Sequence, residues 1–146
     1  MQFTEDQKKV IETRNKNILV SAAAGSGKTA VLVQRILSRI TGKDPIDIDR
    51  LLIVTFTSAA AAEMRERIHA ALLQAQTEHP EDENLQRQAA LIHNAQITTI
   101  DSYCMFLLRN HFHEIDLDPS FRIGDPGEIR LLEKDVMQAV LEEAYA

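Results

Sequence analysis

Apolar positions along the chain fall into two kinds of run that alternate: short continuous ones, and longer ones spaced by three and four residues. The continuous runs are Asn17–Ser21, Leu51–Thr55 and Gln96–Ile100, with Phe121–Ile123 as a short fourth strand candidate. A run such as Leu51-Leu-Ile-Val-Thr55, with no polar alternation, is the pattern of a strand buried on both faces. Between them lie the helical stripes. Thr4-Glu-Asp-Gln7 has capping-box spacing and predicts a helix to about Thr13. Leu32, Val33, Ile36, Leu37 and Ile40 share a face, and Gly42 with Pro45 ends that element. Met64, Ile68, Ala71, Leu72 and Ala75 form another stripe, followed by an acidic, proline-containing loop at Thr77–Glu83. Tyr103–Phe112 is a third main helix, with Asp101 as its expected N-cap. Asp125-Pro126-Gly127-Glu128 then opens a last helix whose stripe is Ile129, Leu132, Val136 and Val140, widened by Met137 and Leu141. Strands alternating with helices predict an α/β fold with a parallel sheet and right-handed crossovers.

Composition changes this picture little. At 146 residues, 45% hydrophobic and 26% charged, the chain is of ordinary globular make-up and can bury one sizeable core. It has no apolar stretch of about 20 residues and its polar start, MQFTEDQKK, is unlike a signal peptide, so a cytoplasmic location is expected. The single Cys104 fits a reducing compartment and a place in the core. Net charge matters more. At −6 the chain offers no broad electrostatic grip on nucleic acid, so any such contact must be focal. His93, His111 and His113 do not make a metal site on spacing alone.

The chemistry concentrates in SAAAGSGKTAVL, Ser21–Leu32, placed after the first apolar run and before a helical stripe. Small residues there let successive N–H groups turn around an anion at a helix N-terminus. Ala22, Ala23, Ala24, Gly25, Ser26, Gly27, Lys28 and Thr29 follow the Walker A pattern, with Ala22 standing where the strict pattern has glycine. Lys28 would reach the β- and γ-phosphates and the Thr29 hydroxyl would serve Mg²⁺, so ATP and Mg²⁺ are the expected cofactors.

FTEDQ before this segment, LLIVTFTSAAAAEMRERI after it and ITTIDSYCMFLLR next resemble, in order and spacing, the first four motifs of the UvrD/Rep class of superfamily-one DNA helicases. The stretch from Arg109 to Tyr145 resembles one branch of that class, the AddA (RexA) subunits of bacterial ATP-dependent helicase-nucleases. The resemblance covers almost the whole chain. It implies a truncated RecA-like P-loop NTPase of three layers, with residues 1–124 as part of the first motor domain and 125–146 as the start of an inserted helical subdomain. It further implies that the chain is an N-terminal fragment of a protein that moves on single-stranded DNA and processes double-strand breaks for recombinational repair, beside an AddB (RexB)-type partner. A helicase without nuclease is the alternative.

Within the resemblance Gln7 would read adenine, since a carboxamide matches both donor and acceptor on that edge; locally it also closes the capping box with Thr4. Ala30 occupies a position where relatives often carry a base-packing arginine. Thr55, Phe56, Thr57 and Ser58 resemble a single-strand-contacting motif, with Phe56 as a stacking platform; without the resemblance Phe56 reads as core and Thr57 or Ser58 as an N-cap. Thr99 and Ser102 fall in the next such motif, where many relatives have histidine in place of Asp101. Arg65 and Arg67, among Glu63 and Glu66, read as a solvated, salt-bridged helix face. No acidic Walker B strand, arginine finger, nuclease carboxylate cluster or cysteine set is visible, so these residues alone are expected to bind ATP without turning it over. The rivals are a small P-loop kinase, for which base and lid are lacking, and a non-catalytic nucleotide- or DNA-binding module.

Overall fold

The computed structural model describes residues 2–23 and 25–145, and Ala24 lies outside the described residues. The chain divides into two compact units, one ending at Phe106 and the other beginning at Leu107. In the first, α1 (Glu5–Glu12), α2 (Lys28–Ile40), β1 (Leu52–Thr55), α3 (Ser58–Glu78), α4 (Glu83–Leu91) and β2 (Gln96–Thr99) follow one another, and α5 (Ile100–His111) begins. The helix starts are built as local chemistry dictates. Thr4 and Gln7 form the full capping box of α1, the Thr57 hydroxyl accepts from the Ala60 N–H, and Asp82 caps α4 through the Asn84 and Leu85 N–H groups.

β1 and β2 pair in parallel, Leu52 with Gln96 through to Thr55 with Thr99. A parallel pair needs a long crossover, here supplied by α3 and α4. Ile53 and Ile97 point into a core with Val33, Ile36 and Ile40 of α2, Met64, Ile68 and Leu72 of α3, and Leu85 and Ile92. The predicted stripes of α2 and α3 therefore do meet, in one core on the Ile53/Ile97 face of the sheet.

Three strand expectations change. Asn17–Ser21 is not a strand: it makes no ladder among the described residues, and Leu19 is 98% exposed. Phe121–Ile123 likewise lacks a strand assignment. An apolar run specifies a strand only where another strand accepts its hydrogen bonds. Nor is β1 buried on both faces, since Leu52 and Val54 are 47% and 40% exposed. The described sheet has two strands with helices packed on the Ile53/Ile97 face, so the three-layer arrangement is not completed.

Two side chains tie distant segments into this core. Arg65 of α3 donates to the carbonyls of Ile92 (2.8 Å), Ala95 (3.3 Å) and Ile97 (3.1 Å), fixing the entry to β2. It is half-buried, so the expected solvated face holds for Arg67, ion-paired with Glu63, and not for Arg65. Gln88 of α4 is fully buried; its Oε1 accepts from the Ile48 N–H at 2.9 Å, and its Nε2 donates to Asp47 (2.7 Å) and Asn84 (3.1 Å).

α5 starts three residues earlier than expected. Its first turn is capped by the Thr99 hydroxyl, which accepts from the Ser102 N–H at 3.2 Å, so Asp101 lies inside the helix and is not the N-cap. α5 buries no residue, and Cys104 is exposed where a place in the core was expected: apolar spacing selects a face but does not supply a cover. In the second unit, α6 (Pro126–Tyr145) opens with the Gly127 N–H on Asp125 Oδ1 at 2.8 Å and the Asp125 N–H on Glu128 Oε2 at 3.1 Å, the cap that its sequence predicts. Its stripe, Ile129 to Leu141, stays exposed. Among the described residues no helix is long and apolar enough to cross a membrane.

Gln88→Ala should lower unfolding free energy by about 1–3 kcal/mol, because the buried Ile48 N–H loses its acceptor. Urea denaturation of the two proteins measures this, and equal midpoints would contradict the bonding described.

Candidate functional site

The glycine loop enters α2 through backbone that only glycine adopts readily. Gly25 and Gly27 have φ of +77° and +79°, in the left-handed region. Gly27 is the N-cap of α2 and therefore brings no side chain to cap it, and the first turn carries no acid. The N–H groups of that turn are left to an anion, and the helix dipole favours one there. α1, α3 and α4 are capped by their own side chains; α2 is the exception.

Lys28 Nζ donates to the carbonyls of Ala22 (2.7 Å) and Ala23 (2.6 Å), so its exposed ammonium is held over the loop. Within the loop the Ser26 N–H bonds the Ala23 carbonyl at 3.3 Å. Gln7 joins helix cap and loop. Its Oε1 accepts from the Thr4 N–H at 2.9 Å, and its Nε2 donates to the Ser26 carbonyl at 3.3 Å. One N–H and one lone pair of that carboxamide remain, enough for a bidentate match to a base edge, so capping and base reading are compatible. A cavity of ≈ 410 Å³ opens beside them, lined by Gln7, Val10, Val20, Ala22, Ser26 and Lys28. Its apolar wall of Val10, Val20, Val31 and Leu32 suits an aromatic base, and its mouth at Ala22, Ser26 and Lys28 suits phosphates. A nucleotide thus fits the residues present. Ala30 lies half-buried inside the first turn of α2 and extends no side chain over that cavity.

Thr29 faces a second cavity, of ≈ 310 Å³, shared with Thr55, Phe56, Thr57, Glu63 and Met64. The glycine loop and the C-terminal end of β1 are therefore adjacent. Phe56 is 95% exposed and is not core, which removes the packing alternative. Thr57 is the N-cap of α3, Ser58 begins the helix, and Thr55 Oγ1 donates to the Thr57 carbonyl at 3.0 Å, bracing the turn that projects Phe56. The Thr55–Thr99 register brings the start of α5 to the same sheet end. There the Thr99 and Ser102 hydroxyls bond each other at 2.9 Å. Ligands of parallel sheets collect at this carboxyl end of the strands, and the described candidate nucleotide and DNA residues lie at it or at the adjoining loop and its cavity. The structural roles of Arg14, Arg35, Arg65 and Gln88 were not readable, because their partners lie 22 to 41 residues away or in irregular segments.

Comparison with known proteins agrees with this geometry. The profile described as UvrD/REP helicase N-terminal domain matches residues 3–145. The chain is 61% identical over 144 residues to a protein of Lachnoclostridium phytofermentans named as an ATP-dependent helicase/nuclease subunit, covering 98% of this chain and 10% of that protein. Proteins of the same name from Clostridium perfringens and Moorella thermoacetica are 55% and 54% identical, each covering 99% of this chain and 11% and 10% of their own length. The chain spans about a tenth of the curated relatives it matches. With its glycine loop at an uncapped helix start and its paired motifs at one sheet end, the chain belongs to the UvrD/REP helicase N-terminal domain family.

Proposed function

We propose that the chain is the ATP-binding N-terminal part of a subunit of an ATP-dependent DNA helicase/nuclease, with a RecA-like P-loop NTPase fold that grips single-stranded DNA beside its nucleotide. The observation that carries this is the shared cavity: Thr29 of the loop and Thr55–Thr57 of the DNA-contacting motif line one space. The names of the relatives support the helicase and nuclease activities and a multi-subunit assembly, for which an AddB (RexB)-type protein is the partner. In this reading residues 1–124 belong to the motor domain, 125–146 begin an inserted subdomain, and double-strand breaks are processed for recombinational repair.

ATP with Mg²⁺, when bound, supplies the phosphoanhydride whose hydrolysis drives movement. The residues of this chain would do the holding. The loop Ala22, Ala23, Ala24, Gly25, Ser26, Gly27 and the α2 start would take the phosphates, with Ala30 in the same turn. Lys28 would exchange the Ala22 and Ala23 carbonyls for phosphate oxygens. The Thr29 hydroxyl would serve Mg²⁺, and Gln7 would meet the base while keeping Ser26 in place. Phe56 would stack on a base, and Thr55, Thr57, Ser58, Thr99 and Ser102 would offer hydroxyls and N–H groups to the strand. In this reading the stretch binds ATP without turning it over on its own, since its sequence carries no acidic Walker B strand to orient a water.

Lys28→Ala should weaken ATP binding at least tenfold, about 1.4 kcal/mol, by calorimetric titration; equal affinities would sink the nucleotide reading. The 146-residue chain should release no phosphate from ATP, with or without DNA, in a coupled assay, and DNA-stimulated turnover would overturn that expectation. In the full-length protein Phe56→Ala should cost about 1–3 kcal/mol of single-strand affinity by anisotropy with an unchanged melting temperature. A lower melting temperature with intact DNA binding would return Phe56 to a packing role.

A further inference from the structure

At the end of α2 remote from the glycine loop, four cations gather and none of them is in an ion pair among the described residues. Arg14, Arg39 and Lys43 line a cavity of ≈ 640 Å³ together with Asn15, Ser38 and Asp44, and Arg35 stands one turn back on α2. Other cations of this acidic chain do find carboxylates. Lys8, Lys9, Arg67, Arg87 and Arg122 each hold a carboxylate within 3.0 Å.

Part of the cluster is accounted for by the protein itself. Arg14 donates to the carbonyls of Ile11 and Thr13 and to Ser38, and Arg35 to the carbonyls of Val10 and Thr13, closing the C-terminal end of α1 against α2. Arg39 and Lys43 make no side-chain hydrogen bond among the described residues, and Asp44 is the acid that shares their cavity. Burial, then the Arg14 and Arg39 charges, lower the Arg35 pKa from its ordinary value, so these guanidinium groups feel one another. Like charges gathered beside one acid, unpaired among the described residues, repel, and an anion between them relieves that cost. Arg39 and Lys43, with Asn15 and Ser38 beside them, offer the mixed cationic and neutral donors that phosphate oxygens take.

We propose that this cavity is a second phosphate site, for the phosphodiester backbone of DNA, separate from the glycine loop and from Phe56. It lies about 16 Å along the helix axis from Lys28, too far for one nucleotide to serve both. It rests on the DNA-handling reading above, and it makes the DNA contact of a chain of charge −6 focal and electrostatic.

The test is anisotropy with a fluorescein-labelled oligothymidine and the 146-residue chain across a salt series, with circular dichroism melting as the fold control. Arg39→Ala/Lys43→Ala should weaken binding about fivefold or more and reduce the slope of log affinity against log salt by about 1.4, the share of two single-strand phosphate contacts. Lys43→Glu, a change at an exposed loop position, should do the same in smaller measure if the double variant is unstable. Phe56→Ala should lower affinity with the slope unchanged, which separates the two sites. No change of affinity or slope in either charge variant, while Phe56→Ala still weakens binding, overturns this site alone. No oligothymidine binding by the parent chain overturns it together with the DNA reading. Loss of pyrophosphate binding by calorimetry with oligothymidine binding intact overturns the DNA assignment in favour of a free anion.

Discussion

The parallel ladder between β1 and β2 is the constraint on which the site depends. Pairing Leu52–Thr55 with Gln96–Thr99 in the same direction forces both strands to end at one edge, so the turn carrying Phe56 and the start of α5 leave the sheet side by side. Antiparallel pairing of the same residues would separate them by the length of a strand. The cost is a crossover of some forty residues, which becomes favourable because α3 buries Met64, Ile68 and Leu72 against the ladder as it returns.

Guanidinium groups hold the irregular parts of this arrangement. Arg65 gathers three carbonyls around the entry to β2, and Arg14 with Arg35 gathers those at the end of α1. Carbonyls at helix ends and in short turns have no ladder partner, and leaving them unpaired near a core costs about as much as a lost hydrogen bond. A planar fork of five donors can satisfy several at once, which lysine cannot do. This is why cations that look like surface charge in the sequence are half-buried in the structure.

The same contrast between spent and unspent donors separates structural from functional positions around the nucleotide loop. α1, α3 and α4 use Thr4, Thr57 and Asp82 to close their first turns, whereas Gly27 leaves that of α2 open beside Lys28. Gln7 spends half of its carboxamide on Thr4 and Ser26 and keeps half. At the far end of α2, Arg14 and Arg35 are spent on carbonyls, and among the described residues Arg39 and Lys43 are not. One helix therefore presents free N–H groups at its start and free charge at its end.

What the sequence by itself determined is whatever one turn of chain can encode: the capping box of α1, the Asp125 and Glu128 cap of α6, the left-handed glycines of the loop, the core stripes of α2 and α3 and the motif order. These need only i to i+4 chemistry or a fixed period. Tertiary structure alone decided that Asn17–Ser21 joins no ladder among the described residues, that Phe56 is exposed, that Thr99 and not Asp101 caps α5, and that Cys104 is uncovered. Each of these turns on which distant segment arrives to pair or to cover, and an apolar run or a lone arginine reads the same whether that partner comes or not.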